Sequence, residues 1–501
     1  MDKYIVAHDL GTTGNKATLF STSGKMIKST IFSYPVNFFN GNWAEQNPQH
    51  WWDAICAATK SLLEDIDSSR VCAISFSGQM MGCVCVDQDG VPLRPAIIWA
   101  DMRAEQQEYA LAEKISPKEF YKTVGHKISR SYSIEKLMWI KDNEPAVYGR
   151  THKMLHAKDY IVYKLTGEFL TDYSDASGTN ALDLNTMAWS DKIICAAGVE
   201  KSMFPEIRPS TFVAGIVQKR VSHECGLPEG TKVIIGGGDG SCASVGAGSV
   251  SEGITYNCLG SSSWISTVSK KPYFDEEMRT VTWAHVIPGL LIPSGTMQTA
   301  GAAFAWGKER LYDCLQHNEE DIYEIINKQI AASDAGSNAL LFLPYLLGER
   351  CPRWNGNARG SFIGLKMEHS RGDMMRSIVE GVAMNLDIIL KILKNAVEIK
   401  EMLVVGGLAK GDIQQQILAD VYGMDIVRLV HLEEATSIGA AVIGGIGAGE
   451  LPDFSSASLF NKRMKSTEPV AEHVKKYNQL KPVFNKAYWG QIEVYEDLAR
   501  I

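Results

Sequence analysis

Two short stretches, one in each half of the chain, constrain the fold most. Asp9-Leu10-Gly11-Thr12-Thr13-Gly14 and Cys258-Leu259-Gly260-Ser261-Ser262-Ser263 both set a Leu-Gly step before hydroxyl residues. Each lies between two β-patterned runs: YIVA (4–7) and KATLF (16–20) around the first, ITYN (254–257) and WISTVS (264–269) around the second. A turn this short between two strands requires a hairpin, and its glycine lets other groups approach the backbone closely. A strand, not a helix, follows each glycine turn, which argues against a dinucleotide-binding opening. The expectation is two α/β domains of like construction, each offering a hairpin loop to a shared cleft. A chain of 501 residues exceeds what one core usually serves. Gly, Ala and Ser thin the sequence at 246–253, which places the boundary between residues 1–248 and 249–501.

The flanking patterns fill in elements. Residues 47–65 read as a helix with Asn47 as N-cap and Pro48 at its first position. The runs 71–78 and 84–93 read as strands, as does Val233-Ile234-Ile235 before a glycine run. Further on, a long helix is expected from Asp373 to about Ala396. A strand at 402–405 then runs into Gly406-Gly407, and a helix spans about 412–422.

Composition excludes several classes. Apolar content of 45% with 22% charged residues describes an ordinary soluble protein, and the net charge of −8 with no basic stripe argues against nucleic acid. No apolar stretch is long enough to span a bilayer, and MDKYIVAHDLGTTG lacks the apolar region of a signal peptide. Ten scattered cysteines, with Cys83 and Cys85 the closest pair, fit free thiols in a reducing compartment rather than zinc. A cytoplasmic protein with no membrane partner is expected.

The candidate chemistry lies in the glycine turns. The pattern G-x-x-x-x-G-K-[ST] is absent, so a phosphate site here does not use that lysine. Backbone N–H groups and hydroxyls of Gly11–Gly14 and Gly260–Ser263 can instead donate to phosphate oxygens. Asp9, at the mouth of the first loop, is either a turn-stabilising side chain or a carboxylate that holds Mg2+ through water. Asp239, alone among the glycines of GGGDGS, is either a helix N-cap or a reactive carboxylate beside a ligand.

Taken together, DLGTTGNKATLF, GGGDG, LGSSS and VVGGLAKGDIQQQILAD resemble the FGGY carbohydrate kinases of the actin-like ATPase superfamily. Ser131–Asn143 and Gly360–Glu380 are similar to that family's two longer signatures, and LPYLLGER (343–350) and EATSIGAA (434–441) extend the likeness over nearly the whole chain. The resemblance implies two ribonuclease H-like domains around a central cleft, ATP and Mg2+ as cofactors, and a small sugar or polyol as substrate. A homodimer is compatible with it. It implies Asp239 as catalytic base and Asp9 on the metal side. Phosphate and nucleotide contacts would come from Gly11, Thr12, Thr13, Gly260, Ser261, Ser262, Gly301, Gly406, Gly407 and Lys410. On the sugar side it implies Gln79, Met80, Met81, Trp99, Asp101 and Arg103 beside Asp239.

WAEQNP, GQMMG, LRPAIIWADMR, SDASGTNALDL and PYLLGER are most similar to the branch that phosphorylates pentuloses, so a pentulose of the xylulose type is the expected acceptor. Another ketose, polyol or aldonate is the alternative, and an ATP-dependent binding protein is the alternative from another class. Four positions depart from that branch. Met81 stands where it carries His, Gly240 where Asn commonly follows the base, and Leu408 and Gln414 where a third glycine and a Trp are usual. From their residue types alone, Trp99 and Met81 also read as core, and Asp101–Arg103 as an exposed ion pair.

Overall fold

The computed structural model describes residues 2–313 and 321–501. Each half builds a mixed seven-stranded sheet. In the first, Tyr4–Leu10 and Gly14–Ser21 form the expected hairpin, Met26–Ser33 adds antiparallel outside it, and Val71–Gly78 lies parallel on the other side of Tyr4–Leu10. Lys232–Ile234 then joins parallel to Val71–Gly78. The second sheet repeats this plan with Thr255–Leu259, Ser263–Thr267, Leu291–Met297, Glu401–Val405 and Asp425–Leu429. Both sheets therefore share one order from the hairpin outward, and the repeat visible as two short motifs is a repeat of topology.

Burial explains the strand sequences. Tyr4–Leu10 is central and covered on both faces, so it reads as a nearly continuous apolar run, whereas Met26–Ser33 alternates half-buried and exposed residues. The helix Pro48–Leu63 covers the first hairpin with Trp51, Trp52, Ile55 and Leu62, and the Asn47 side chain accepts from Gln49 N, as the cap pattern requires. The helix Arg371–Leu393 begins two residues before the expected Asp373. Asp373 is instead the third helical residue of a capping box, its carboxylate accepting from Ser370 N (2.8 Å) while Ser370 Oγ accepts from Asp373 N. The strand expected over 84–93 stops at Val86, because the Asp87 carboxylate accepts from Asp89 N and Val91 N and closes a turn.

Two helices tie the halves together. Asp239–Gly246 follows the first sheet in sequence, yet Ala243 and Ala247 pack with Tyr256, Leu403 and Val427 of the second. Conversely, Ala435–Ala448 follows the second sheet, while Ile438, Val442 and Ile443 pack with Ile5, Ala73 and Ile234 of the first. The two helices cross backbone to backbone. A Cβ on Gly246 would stand 1.8 Å from Ala435 O, and one on Gly439 would stand 2.0 Å from Cys242 O. Only glycine permits this approach. The linear boundary near residue 248 is thus crossed by a helix from each side. Among the described residues no helix is long and apolar enough to cross a membrane.

Candidate active site

The two hairpin loops, the ends of the parallel strands and the first turns of the two crossing helices gather around one cleft. Asp9 is the last residue but one of the first hairpin strand, and its two carboxylate oxygens accept from Ser77 Oγ (2.9 Å) and Thr436 Oγ1 (2.7 Å), the latter from the opposite half. Lys16 pairs with Glu434 and reaches the Glu433 carbonyl at 3.2 Å, so two polar links join the halves at the mouth of this loop. Burial pushes the Asp9 carboxyl up, and these hydroxyl donors oppose the shift.

Asp239 is the first residue of its helix, and Gly238 takes the N-cap position instead. Its Oδ1 accepts from Gly240 N at 2.7 Å, and the other oxygen has no protein hydrogen bond among the described residues. Burial pushes the Asp239 carboxyl up to about 7, and the charge of Asp9 adds to the shift. The turn is braced from both halves: Gly238 N donates to Ser174 Oγ (2.8 Å), and Tyr256 Oη donates to Gly240 O (3.1 Å). A carboxylate so held, with one free oxygen and a pKa near neutrality, suits proton abstraction from an alcohol.

The first loop is supported from below. Gly11 N closes the hairpin on Gly14 O at 3.0 Å, Gly11 O accepts from Tyr34 Oη at 2.6 Å, and Thr12 O accepts from Gln46 Nε2 at 2.7 Å. Thr13 is exposed at the tip. Trp99 is half-buried rather than core, and its indole N–H donates to Thr12 Oγ1 at 2.9 Å. Gln79 gives its amide hydrogens to Gln46 Oε1 (2.8 Å), which leaves its own oxygen buried without a donor.

Asp101 and Arg103 correct both expectations placed on them. They form neither an exposed pair nor a surface presented to a sugar, because both side chains have 0% exposure. Asp101 accepts from Ala44 N and from Arg103. Arg103 also pairs with Glu45 and lies over the Trp43 ring at 3.9 Å. The pair braces the wall behind Trp99.

Met80 and Met81 split in role. Met80 is buried and packs against Gly178 and Gly238, directly under the Asp239 turn. Met81 is half-buried with φ 63, a conformation unusual for a side chain without a polar tip. Its carbonyl accepts from Lys136 Nζ at 2.7 Å, and the same ammonium also donates to Ser131 O. Burial pulls Lys136 down to about 7, with the Asp101 charge opposing. The sequence signal for Lys136 is a lysine set in the apolar run Ile134–Ile140 of Ser131–Asn143.

On the other wall, a cavity of about 730 Å3 is lined by Gly260, Ser261, Gly301, Gly407, Lys410 and Gln414, with Phe304 and Tyr323 stacked at 6.5 Å along one side. Ser261 is exposed, Ser262 half-buried, and Ser261 O receives Ala300 N and Ala302 N. Gly406 ends the strand Glu401–Val405 and donates to Leu432 O at 2.8 Å. Lys410 pairs with Glu433 in the open (2.8 Å), so it can be redirected to a ligand at little cost. Gln414 Oε1 is buried without a donor among the described residues, an unmet acceptor at the edge of the cavity. Size, a flat aromatic side and an unmet acceptor fit a nucleoside, with the hairpin hydroxyls next to it for phosphates. The equivalent strand end of the first sheet carries Gln79–Met81, so the two ligand walls occupy one topological place in the two halves.

Gly301 opens its helix with no room for a side chain, since a Cβ would stand 2.5 Å from Gly260 O. Gly301→Ala must therefore displace the second loop. The expected result is binding of a nucleotide in this cavity weakened about tenfold, from a strain of about 1–2 kcal/mol, as calorimetry on the variant and the wild type measures.

Residues 4–246 match the FGGY family of carbohydrate kinases, N-terminal domain, and residues 255–448 match its C-terminal domain. The xylulose kinase of Staphylococcus xylosus is 29% identical over 97% of this chain and 99% of its own. The gluconokinase of Bacillus subtilis is 28% identical over 97% of this chain and 95% of its own. The structure of ligand-bound xylulose kinase from Lactobacillus acidophilus superposes with a TM-score of 0.92 at 27% identity, covering 99% of this chain and 100% of that one.

Proposed function

Because the chain belongs to the FGGY family of carbohydrate kinases, we propose that it transfers the γ-phosphate of ATP to a primary hydroxyl of a pentulose, xylulose before others. The observation that carries this is the Asp239 carboxylate, free on one oxygen and pushed up to about 7, set between two hydroxyl-lined hairpin loops. Mg2+-bound ATP supplies the transferable phosphoryl group. Asp239 orients the acceptor hydroxyl and takes its proton as the new O–P bond forms. Thr12, Thr13, Ser261 and Ser262 would donate to the phosphates from opposite halves, Asp9 would hold the metal, and Lys410 with Gly406–Gly407 would border the nucleoside. Met80 and Gly178 set the height of the Asp239 turn, and Lys136 sets the turn that presents Met81.

The test is ADP release on addition of D-xylulose, D-ribulose, D-gluconate, xylitol or glycerol. Stimulation by D-xylulose above the others is expected. If no polyol stimulates release, the kinase reading fails and an ATP-dependent binding protein takes its place. A gluconate-type acceptor is the second reading. Its support is the relative named gluconokinase together with Met81, a thioether that offers no strong hydrogen bond to a sugar hydroxyl.

Met81→His separates the two. Histidine tolerates positive φ better than methionine, so the turn should survive. A restored hydrogen bond of about 1.4 kcal/mol should shift the kcat/KM ratio of D-xylulose over D-gluconate about tenfold toward xylulose. An unchanged ratio would mean that Met81 does not read the sugar.

A further inference from the structure

A second cavity, of about 600 Å3, lies apart from the cleft and takes residues from both halves: Lys127 from the first, and Arg353, Trp354, Asp387, Lys391 and Trp489 from the second. Its charges are not balanced. Asp387 is shared by Lys391 (2.8 Å) and Lys481 (3.1 Å), and Arg279 is satisfied by Asp275 and Glu277. Lys127 and Arg353 have no carboxylate partner among the described residues. Lys127 Nζ lies 4.3 Å over the Trp354 ring. Among the described residues Arg353 bonds neutral groups, Tyr345 Oη (3.3 Å) and Asn485 Oδ1 (2.8 Å), and its Nη2 is buried there without an acceptor. A buried guanidinium nitrogen without an acceptor is costly unless an anion completes it.

The apolar part is equally specific. Trp354 is 39% exposed and Trp489 is 62% exposed, two flat faces bordering a cationic hollow. Trp354 is held at φ 49 by its indole N–H on Arg279 O (3.0 Å), an arrangement a bulky residue adopts only when its surroundings enforce it. Two unpaired cations ask for a dianion, and two aromatic faces ask for a carbon skeleton attached to it. We propose that this cavity binds a small phosphate monoester of the phosphorylated-sugar class, with Arg353 and Lys127 on the phosphate and the tryptophans against the sugar. The site stands independently of the reaction in the cleft.

Tryptophan fluorescence titration with ribose 5-phosphate, D-ribose and inorganic phosphate tests this, with the cleft saturated by acceptor sugar and a non-hydrolysable ATP analogue. Saturable quenching by ribose 5-phosphate is expected, weaker binding by inorganic phosphate, and none by ribose. Arg353→Gln and Lys127→Gln should each weaken ribose 5-phosphate binding by about tenfold or more, the worth of a charge-assisted hydrogen bond. Basal turnover should stay unchanged, and the quench should vanish in Trp354→Phe/Trp489→Phe. Should Arg353→Gln fail to fold, Lys127→Gln decides, because its ammonium makes no hydrogen bond or ion pair among the described residues. The proposal is overturned if ribose 5-phosphate shows no saturable binding, or if both charge variants bind it as wild type does. It is also overturned if Trp489→Ala converts a dimer to monomers, which would make this face a subunit contact.

Discussion

Asp239→Asn is expected to lower kcat by roughly 10²–10⁴, the range for losing general-base help, while leaving nucleotide binding and the fold in place. The fold should survive because the amide oxygen of Asn can accept from Gly240 N as Asp239 Oδ1 does, and the braces from Ser174 and Tyr256 act on backbone atoms. Removing a buried like charge beside Asp9 also relieves repulsion, so thermal stability should hold or rise. Steady-state ADP release with the best acceptor measures the rate, and calorimetry with a non-hydrolysable ATP analogue checks the nucleotide site. A variant that phosphorylates at the wild-type rate would remove Asp239 from the mechanism.

The pH profile should carry the second large effect. As the proposed base, Asp239 would act only when ionised, and burial, with Asp9 second, pushes it up to about 7. The kcat/KM for the acceptor reports the free enzyme, so it should fall about tenfold per unit below pH 7, and about a hundredfold at pH 5. Asp9→Asn removes the second cause, so the acid limb should move to lower pH even as the overall rate drops. The stability linkage has its own sign. The folded protein holds this proton more tightly than the unfolded chain, so the Asp239 contribution to stability declines as pH rises from 3.8 to about 7. A profile flat down to pH 5 would mean that Asp239 titrates near its ordinary value and that the cleft does not desolvate it.

The same pair shows how far the chain can be read unfolded. Asp239 stood out because a carboxylate among glycines after an apolar strand is chemically conspicuous, and Asp9 because it precedes a hydroxyl turn. What raises Asp239 to about 7 is its burial in the cleft, with the charge of Asp9 second. That depends on the strands Tyr4–Leu10 and Val71–Gly78 lying parallel and on a helix start delivered beside them.

Local physics settled what was legible in the sequence. Strand alternation, the Asn47 cap, the two hairpin turns and the glycine pair before Asp412–Tyr422 are each specified within a few residues, so they fold as read. The resemblance in ordered motifs carried the family. Tertiary structure alone decided which helix covers which sheet, since the small residues of Asp239–Gly246 allow a close approach without naming the partner, and Asp239–Gly246 and Ala435–Ala448 each pack on the other half. It also turned Asp101 and Arg103 from sugar-side residues into a buried brace, and made Lys136 the support of Met81. These depend on partners distant in sequence: Glu45 and Trp43 for Arg103, and for Met81 a lysine on a separate helix. A side chain's type states which bonds it needs, whereas burial and long-range packing choose the atoms that supply them.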